Sequence, residues 1–219
     1  MFVGHLAVGI AAKKADPKIP LGVLVAASFG IDLIWPLLVL VGVEVVRVDP
    51  GNTAFTALDF ESYPWTHSLA MGLAWGAVAA VLVRSLMKSA RAGWIVGGVV
   101  VSHWVLDLIT HRPDLPLWPG GTLVGLGLWN SVAGTLVVEG TLFVAALVLY
   151  AKWTNAVDRV GRWALWGLVA FTGLIWVTQP WAPPPPSSTA VAGGALLMWL
   201  LPFWAQWIER HRKWRTHVG

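Results

Sequence analysis

The chain has 219 residues, of which 57% are hydrophobic and 12% charged, with a formal net charge of +4. A soluble domain carries about 25% charged residues, so half that fraction excludes an ordinary soluble enzyme and points to an integral membrane protein. There is no cysteine, which excludes disulfides and thiolate metal sites and leaves His, Asp and Glu as ligands for any ion.

Phe2 to Ala12 is apolar and carries His5, but it is too short to cross a bilayer and predicts a re-entrant or interfacial helix. Lys13-Lys14 follow it, the reverse of the order in a cleavable signal peptide. Six runs near the roughly 20 residues needed to cross then follow. Leu21 to Val43 holds Asp32 near its middle. Trp65 to Met87 opens on Thr66, His67 and Ser68, and Thr66 or Ser68 is the natural N-cap. Gly93 to Thr110 holds His103 and Asp107, and Arg112-Pro113 ends its helix close to His111. Ala133 to Ala151 holds Glu139, with Asn130 placed to cap it or to reach a site. Trp163 to Pro180 and Thr189 to Ile208 complete the set, separated by a stiff run of prolines at Pro183 to Pro186. The reading is an all-α, polytopic membrane protein with about six transmembrane helices and a short N-terminal helix. It forms a single domain over residues 1–219, with a candidate metal-site part at 1–153 and two additional spans at 154–219. The sixteen Trp suit membrane interfaces and packing between helices.

With six crossings, Lys13, Lys14, Lys18, Arg84, Lys88, Arg91, Lys152, Arg159, Arg162, Arg210, Arg212, Lys213 and Arg215 share one side. Only Arg47 and Arg112 fall opposite. The positive-inside rule makes the basic side cytoplasmic, with both termini there, in a plasma or inner membrane. The basic residues are dispersed among loops, which speaks against nucleic acid as a partner. His211 and His217, in the basic tail, read as solvated.

Asp32, Asp107 and Glu139 lie at membrane depth, where each would cost several kcal/mol against lipid. No basic residue lies at comparable depth to pair with the three acids, so a divalent metal or protonation must supply the positive charge. His103 and Asp107 are four residues apart and share a helix face, with His111 continuing it. At 1.5 Å of rise per residue, Asp32 stands roughly 17 Å, His103 roughly 15 Å and Asp107 roughly 21 Å up from the basic side. If the first helix turns back into the bundle, His5 rises roughly 15 Å as well. His67 and Glu139 reach the same region from the far side. A hydrogen-bonded helix pair explains each residue less ambitiously.

Gly4-His5, Asp32 in FGIDLIWP, Thr66-His67-Ser68 and His103-x-x-x-Asp107 together resemble a family of bacterial inner-membrane metal-dependent hydrolases, of the LexA-regulated or unknown-function type. The same order of residues is distantly similar to zinc-dependent phospholipase C and the P1-type nucleases. The resemblance covers roughly the first half of the chain. It implies His5, Asp32, His67, His103 and Asp107 as metal ligands, most simply of Zn²⁺. Gly30 stands where that family often has a first aspartate, and Tyr63-Pro64 stand where His-Arg is common. Thr135 replaces the histidine that would precede Glu139 by four residues. These departures point to one or two ions, with His111 and Glu139 as substitute ligands.

The function expected is hydrolysis of a phosphoester on a membrane lipid or lipid-linked substrate. Asp32 or Glu139 would be the general base. An ion or proton transporter or channel using the buried acids and histidines is the alternative, and a non-catalytic membrane scaffold is a third.

Overall fold

A computed structural model of the chain describes residues 1–215; His217 lies outside the described residues. The helices are α1 (Val3–Ala12), α2 (Leu21–Ser28), α3 (Gly30–Leu40), α4 (Pro64–His67), α5 (Leu69–Met87) and α6 (Ala90–Thr110). Then come α7 (Val132–Trp153), α8 (Arg159–Thr178), α9 (Ser188–Ala195) and α10 (Leu200–Arg210). Five helices are long and apolar enough to cross a bilayer, counting Ser188–Arg210 as one, and the bent pair α2–α3 makes a sixth span. The chain is therefore an all-α polytopic membrane protein.

Small polar residues start the long helices. Ser68, Ser89, Ser131, Asp158 and Ser187 each accept a hydrogen bond from the backbone N–H three residues on. Each satisfies a donor that the first helical turn would leave open. Ser131 rather than Asn130 caps α7, and Ser68 rather than Thr66 caps α5.

The closest helix pair is α5 against α6. A Cβ on Gly76 would meet the Gly97 carbonyl, and a Cβ on Gly93 would meet that of Ala80. Glycines four residues apart thus let the two backbones approach in the way that suits membrane helices, where apolar side chains gain little from leaving lipid.

The first span is broken. α2 and α3 meet at Phe29 with a bend of 53°. The break falls there and not at Pro36, which is accommodated inside α3. α1 is enclosed by α2, α6 and α7, with Val3, Leu6 and Ile10 in the core. It runs into the bundle from the lysine end, as a re-entrant helix does. At that end Lys13 is buried: its ammonium donates to the Pro17 and Ile19 carbonyls and pairs with Glu209. Glu209 also accepts from the backbone N–H of Leu21 at 2.7 Å, so one carboxylate ties the α1–α2 turn to α10.

The connections hold short strands that the helical reading does not include. β1 (Val45–Val48) pairs with β2 (Leu58–Ser62), and β3 (Leu115–Pro116) with β4 (Leu123–Val124), on the side away from the lysines. β5 (Thr154–Ala156) pairs with β6 (Arg212–Trp214) on the basic side. The two basic residues of the far side are both paired, Arg47 with Glu61 and Arg112 with Asp59 and Asp114. His211, expected to be solvated, instead bonds Asp158 at 2.6 Å and so supports the α8 cap.

Lys13→Met leaves two carbonyls and one carboxylate without their buried donor. It is expected to destabilise the protein by about 3 kcal/mol in detergent. Lys18→Met, on the exposed part of the same turn, is expected to change stability by less than about 0.5 kcal/mol. Thermal unfolding of the two variants measures the difference.

Candidate metal centre

Five of the residues singled out from the sequence meet at one place. His5 comes from α1, Asp32 from α3, His67 from α4, and His103 and Asp107 from α6. His5, His67, His103 and Asp107 are each 3% exposed or less. Their ligand atoms form two overlapping groups, His5–His103–Asp107 and Asp32–His67–His103, each with all atoms within 4.8 Å of one another.

Each histidine nitrogen can be assigned from its partner. His103 Nδ1 lies 2.9 Å from the Ser28 carbonyl, which can only accept, so Nδ1 carries the proton. The carbonyl is available because the helix breaks immediately after it. Nε2 of neutral His103 is then a lone pair. It lies 3.1 Å from Asp107 Oδ2 and 3.6 Å from Asp32 Oδ1, with no hydrogen-bond partner.

His67 is fixed through a longer chain. Glu44, 1% exposed, accepts from the backbone N–H groups of Trp65 and Thr66, both at 2.8 Å, through one carboxylate oxygen. Its other oxygen accepts the Thr66 hydroxyl at 2.6 Å. That hydroxyl has spent its one proton, so at 2.7 Å it can only accept from His67 Nδ1. Nε2 of neutral His67 is again a lone pair, 3.3 Å from Asp32 Oδ1 and 3.8 Å from Asp107 Oδ2.

Two imidazole Nε2 atoms therefore face two carboxylate oxygens in a buried space, as lone pairs when the rings are neutral and as donors when they are protonated, with His67 Nε2 and Asp32 Oδ1 at hydrogen-bond distance. The four facing distances run from 3.1 to 3.8 Å. Two ligands each about 2.0–2.1 Å from a tetrahedral Zn²⁺ stand about 3.4 Å apart. The all-nitrogen-and-oxygen donor set and the orphaned His103 Nε2 fit a divalent ion of that kind.

His5 plays a different part. Its ring stacks on that of His103, with centroids 3.7 Å apart and planes 4° from parallel. Its Nε2 is 3.1 Å from Asp107 Oδ1. The Met1 amino nitrogen, which inspection of Lys and Arg side chains overlooks, also donates to Oδ1 of Asp107. Asp107 thus has Oδ1 engaged by His5 and Met1, and Oδ2 turned toward His67 and His103.

His111 and Glu139 join neither group of ligand atoms. His111 Nδ1 is bonded to Asp114 at 3.0 Å, and the Tyr63 hydroxyl donates to the same carboxylate at 2.9 Å. Burial would raise the pKa of Asp114, but the bonds from His111, Tyr63 and Arg112 bring it below the ordinary carboxylate value. Glu139 Oε2 accepts from the backbone N–H of Phe2 at 2.9 Å and of Gly4 at 3.3 Å, holding the start of α1, while Oε1 is buried without a partner.

A cavity of about 430 Å³ opens from this cluster. Asp32, His67, Asp107, His111 and Glu139 line one part of it, and α8, α9 and the start of α10 supply an apolar wall. Sequence reasoning missed that contribution of residues 154–219, and it missed Glu44. Three consecutive donors to one carboxylate arise from the hairpin's return path, and no local pattern signals it.

Residues 64–182, just over half of the chain, match the sequence model of the family described as YdjM inner membrane protein. The matched stretch contains His67, His103, Asp107, His111 and Glu139, whereas His5, Asp32 and Glu44 precede it. No curated protein and no solved structure matches the chain.

Glu44→Gln tests the tautomer assignment without changing shape. The amide can still accept from both backbone N–H groups, but its nitrogen must donate to Thr66. The Thr66 hydroxyl then donates to His67 Nδ1, which moves the imidazole proton to Nε2. Long-range ¹H–¹⁵N spectra of metal-free protein are expected to show the His67 proton on Nδ1 in the parent and on Nε2 in the variant. Divalent-metal affinity is expected to fall about 10–100-fold.

Proposed function

We propose that this chain, which belongs to the YdjM inner membrane protein family, is a membrane-embedded metal-dependent hydrolase acting on a phosphoester of a lipid or lipid-linked substrate. The observation that carries the reading is the pair of Nε2 atoms, on His67 and His103, that turn toward Asp32 and Asp107 while each Nδ1 is bonded elsewhere. With both rings neutral, acceptors face acceptors, and positive charge, from a metal ion or from protons on the rings, has to sit among them. Such an arrangement is stable when a cation sits among them.

Zn²⁺ is the ion best suited to this donor set, and when bound it lowers the pKa of a coordinated water and polarises a phosphoryl oxygen. Asp32, His67, His103 and Oδ2 of Asp107 would hold the first ion. His5 orients Asp107 through Oδ1 and is placed to serve a second. Asp32 is thereby committed to ligation, which leaves Glu139 as the general base. Its Oε1 is buried, unpartnered and on the cavity side of α7, where it can take a proton from a reacting water. Its Oε2 is held by the two backbone N–H groups at the start of α1, so the carboxylate is fixed in direction.

The topology that fits is one with the basic ends of the helices and both termini on the cytoplasmic side. The cluster then lies within the bilayer, toward its outer half, where a lipid head group can reach it.

Protein purified without metal-chelating resin is expected to hold Zn²⁺ in fixed stoichiometry. His103→Ala is expected to lose that metal, and with it hydrolysis of phospholipid in proteoliposomes, while thermal unfolding shows a folded protein. Chelation followed by added Zn²⁺ is expected to remove and restore activity in the parent. Metal retained at the same stoichiometry in His103→Ala would contradict the reading. Ion flux that requires Asp32 and Asp107, with no lipid product, would favour a transporter.

A further inference from the structure

The cavity beside the cluster has a polar floor and an apolar wall, and the wall comes from the two C-terminal spans. α8 and α10 are joined at the basic end, where the Trp204 indole donates to the Ala164 carbonyl at 3.0 Å. Toward the other end α8 and α9 separate around the cavity. Phe171 and Ile175 line it from α8, and Val191, Leu197 and Met198 line it from α9 and the turn after it. Phe171, Ile175 and Leu197 are 47%, 45% and 63% exposed. They are therefore at the mouth of the cavity, and the mouth lies between two bilayer-crossing helices.

What faces such a mouth is hydrocarbon. An opening between membrane spans, lined by exposed apolar side chains, faces lipid acyl chains on that side, while Phe55, Thr56, Gln179 and Pro185 of the connections line another part of the cavity. The cavity beyond it is neither wholly apolar nor wholly polar. A ligand that satisfies both parts has a hydrocarbon chain on the α8–α9 side and, once a cation is held among the carboxylates, an anionic group beside the histidines. The volume of about 430 Å³ lies toward the small end of ligand pockets, about 300–1,000 Å³, which suits one chain better than two.

We propose that the space between α8 and α9 is a binding site for one hydrocarbon chain of a membrane amphiphile, entered sideways from the bilayer, with the amphiphile's phosphate at the cluster. This deepens the hydrolase reading and rests on it for the position of the phosphate. It assigns residues 154–219 a role in substrate binding.

Gly194 and Gly193 provide a matched pair of variants. Gly194 lines the cavity, Gly193 does not, and a Cβ on either meets no atom within 4 Å. Gly194→Trp therefore fills the mouth, and Gly193→Trp adds the same bulk, at equal cost to helix α9, outside the cavity. The probe is hexadecyl phosphate carrying a diazirine near the end of its chain, photolysed with the protein in nanodiscs and mapped by mass spectrometry. Labelling of the parent is expected at cavity residues such as Ile175 and Met198. It is expected to be lost in Gly194→Trp, retained in Gly193→Trp, and competed by unlabelled hexadecyl phosphate but not by inorganic phosphate.

Labelling confined to the outward faces of the spans, or unchanged cavity labelling in Gly194→Trp, overturns the proposal. The readout needs no turnover and no metal. If His103→Ala keeps its metal while cavity labelling is lost in Gly194→Trp, the hydrolase reading fails and the chain site stands.

Discussion

Imidazole nitrogens and carboxylates that face one another inside the helix bundle are the constraint around which this protein is arranged. His67 and His103 each have Nδ1 tied to an acceptor, so each turns Nε2, a lone pair in the neutral ring, toward Asp32 and Asp107. In water such groups would be solvated. Here His67, His103 and Asp107 are buried, His103 Nε2 has no hydrogen-bond partner, and uncompensated polar groups in such surroundings cost several kcal/mol each. The proposed cation relieves all of them at once.

The irregular parts of the fold follow from the same constraint. Non-helical backbone at membrane depth survives only where protein encloses it. The break at Phe29 is such a place: the Ser28 carbonyl it releases is the one that fixes His103. α4 is a single helical turn whose start is held by Glu44 and which delivers His67 sideways into the bundle. α1 is a re-entrant helix whose start is held by Glu139 and which delivers His5. Each departure from a straight span positions one ligand, and α4 and α1 are each held by one buried carboxylate.

Much of this is legible in the amino-acid sequence. The six crossings are visible because hydrophobic length and the one-sided distribution of Lys and Arg agree. Helical rise and the four-residue spacing on α6 put Asp32, His67, His103 and Asp107, and His5 if α1 turns back, at comparable depth, whereas their meeting at one place is a property of the packing. Glu44 is not legible, because it sits outside the spans and acts through Thr66 on a residue 23 positions away in the chain. The bend at Phe29 is hidden too, since Pro36 is the stronger local signal for a kink and the helix absorbs it. His111 looks like a further ligand by its spacing, but the helix ends at Thr110 and its ring turns to Asp114 and Tyr63. The contribution of α8 to α10 to the cavity is a matter of how distant helices pack, which no local pattern encodes.

X-ray absorption at the zinc edge of the purified protein tests the central claim most directly. The result expected is a first shell of nitrogen and oxygen only, at about 2.0–2.1 Å, with the outer-shell scattering of at least two imidazoles. Protein with no bound metal, or with metal whose spectrum lacks imidazole scattering, would contradict it.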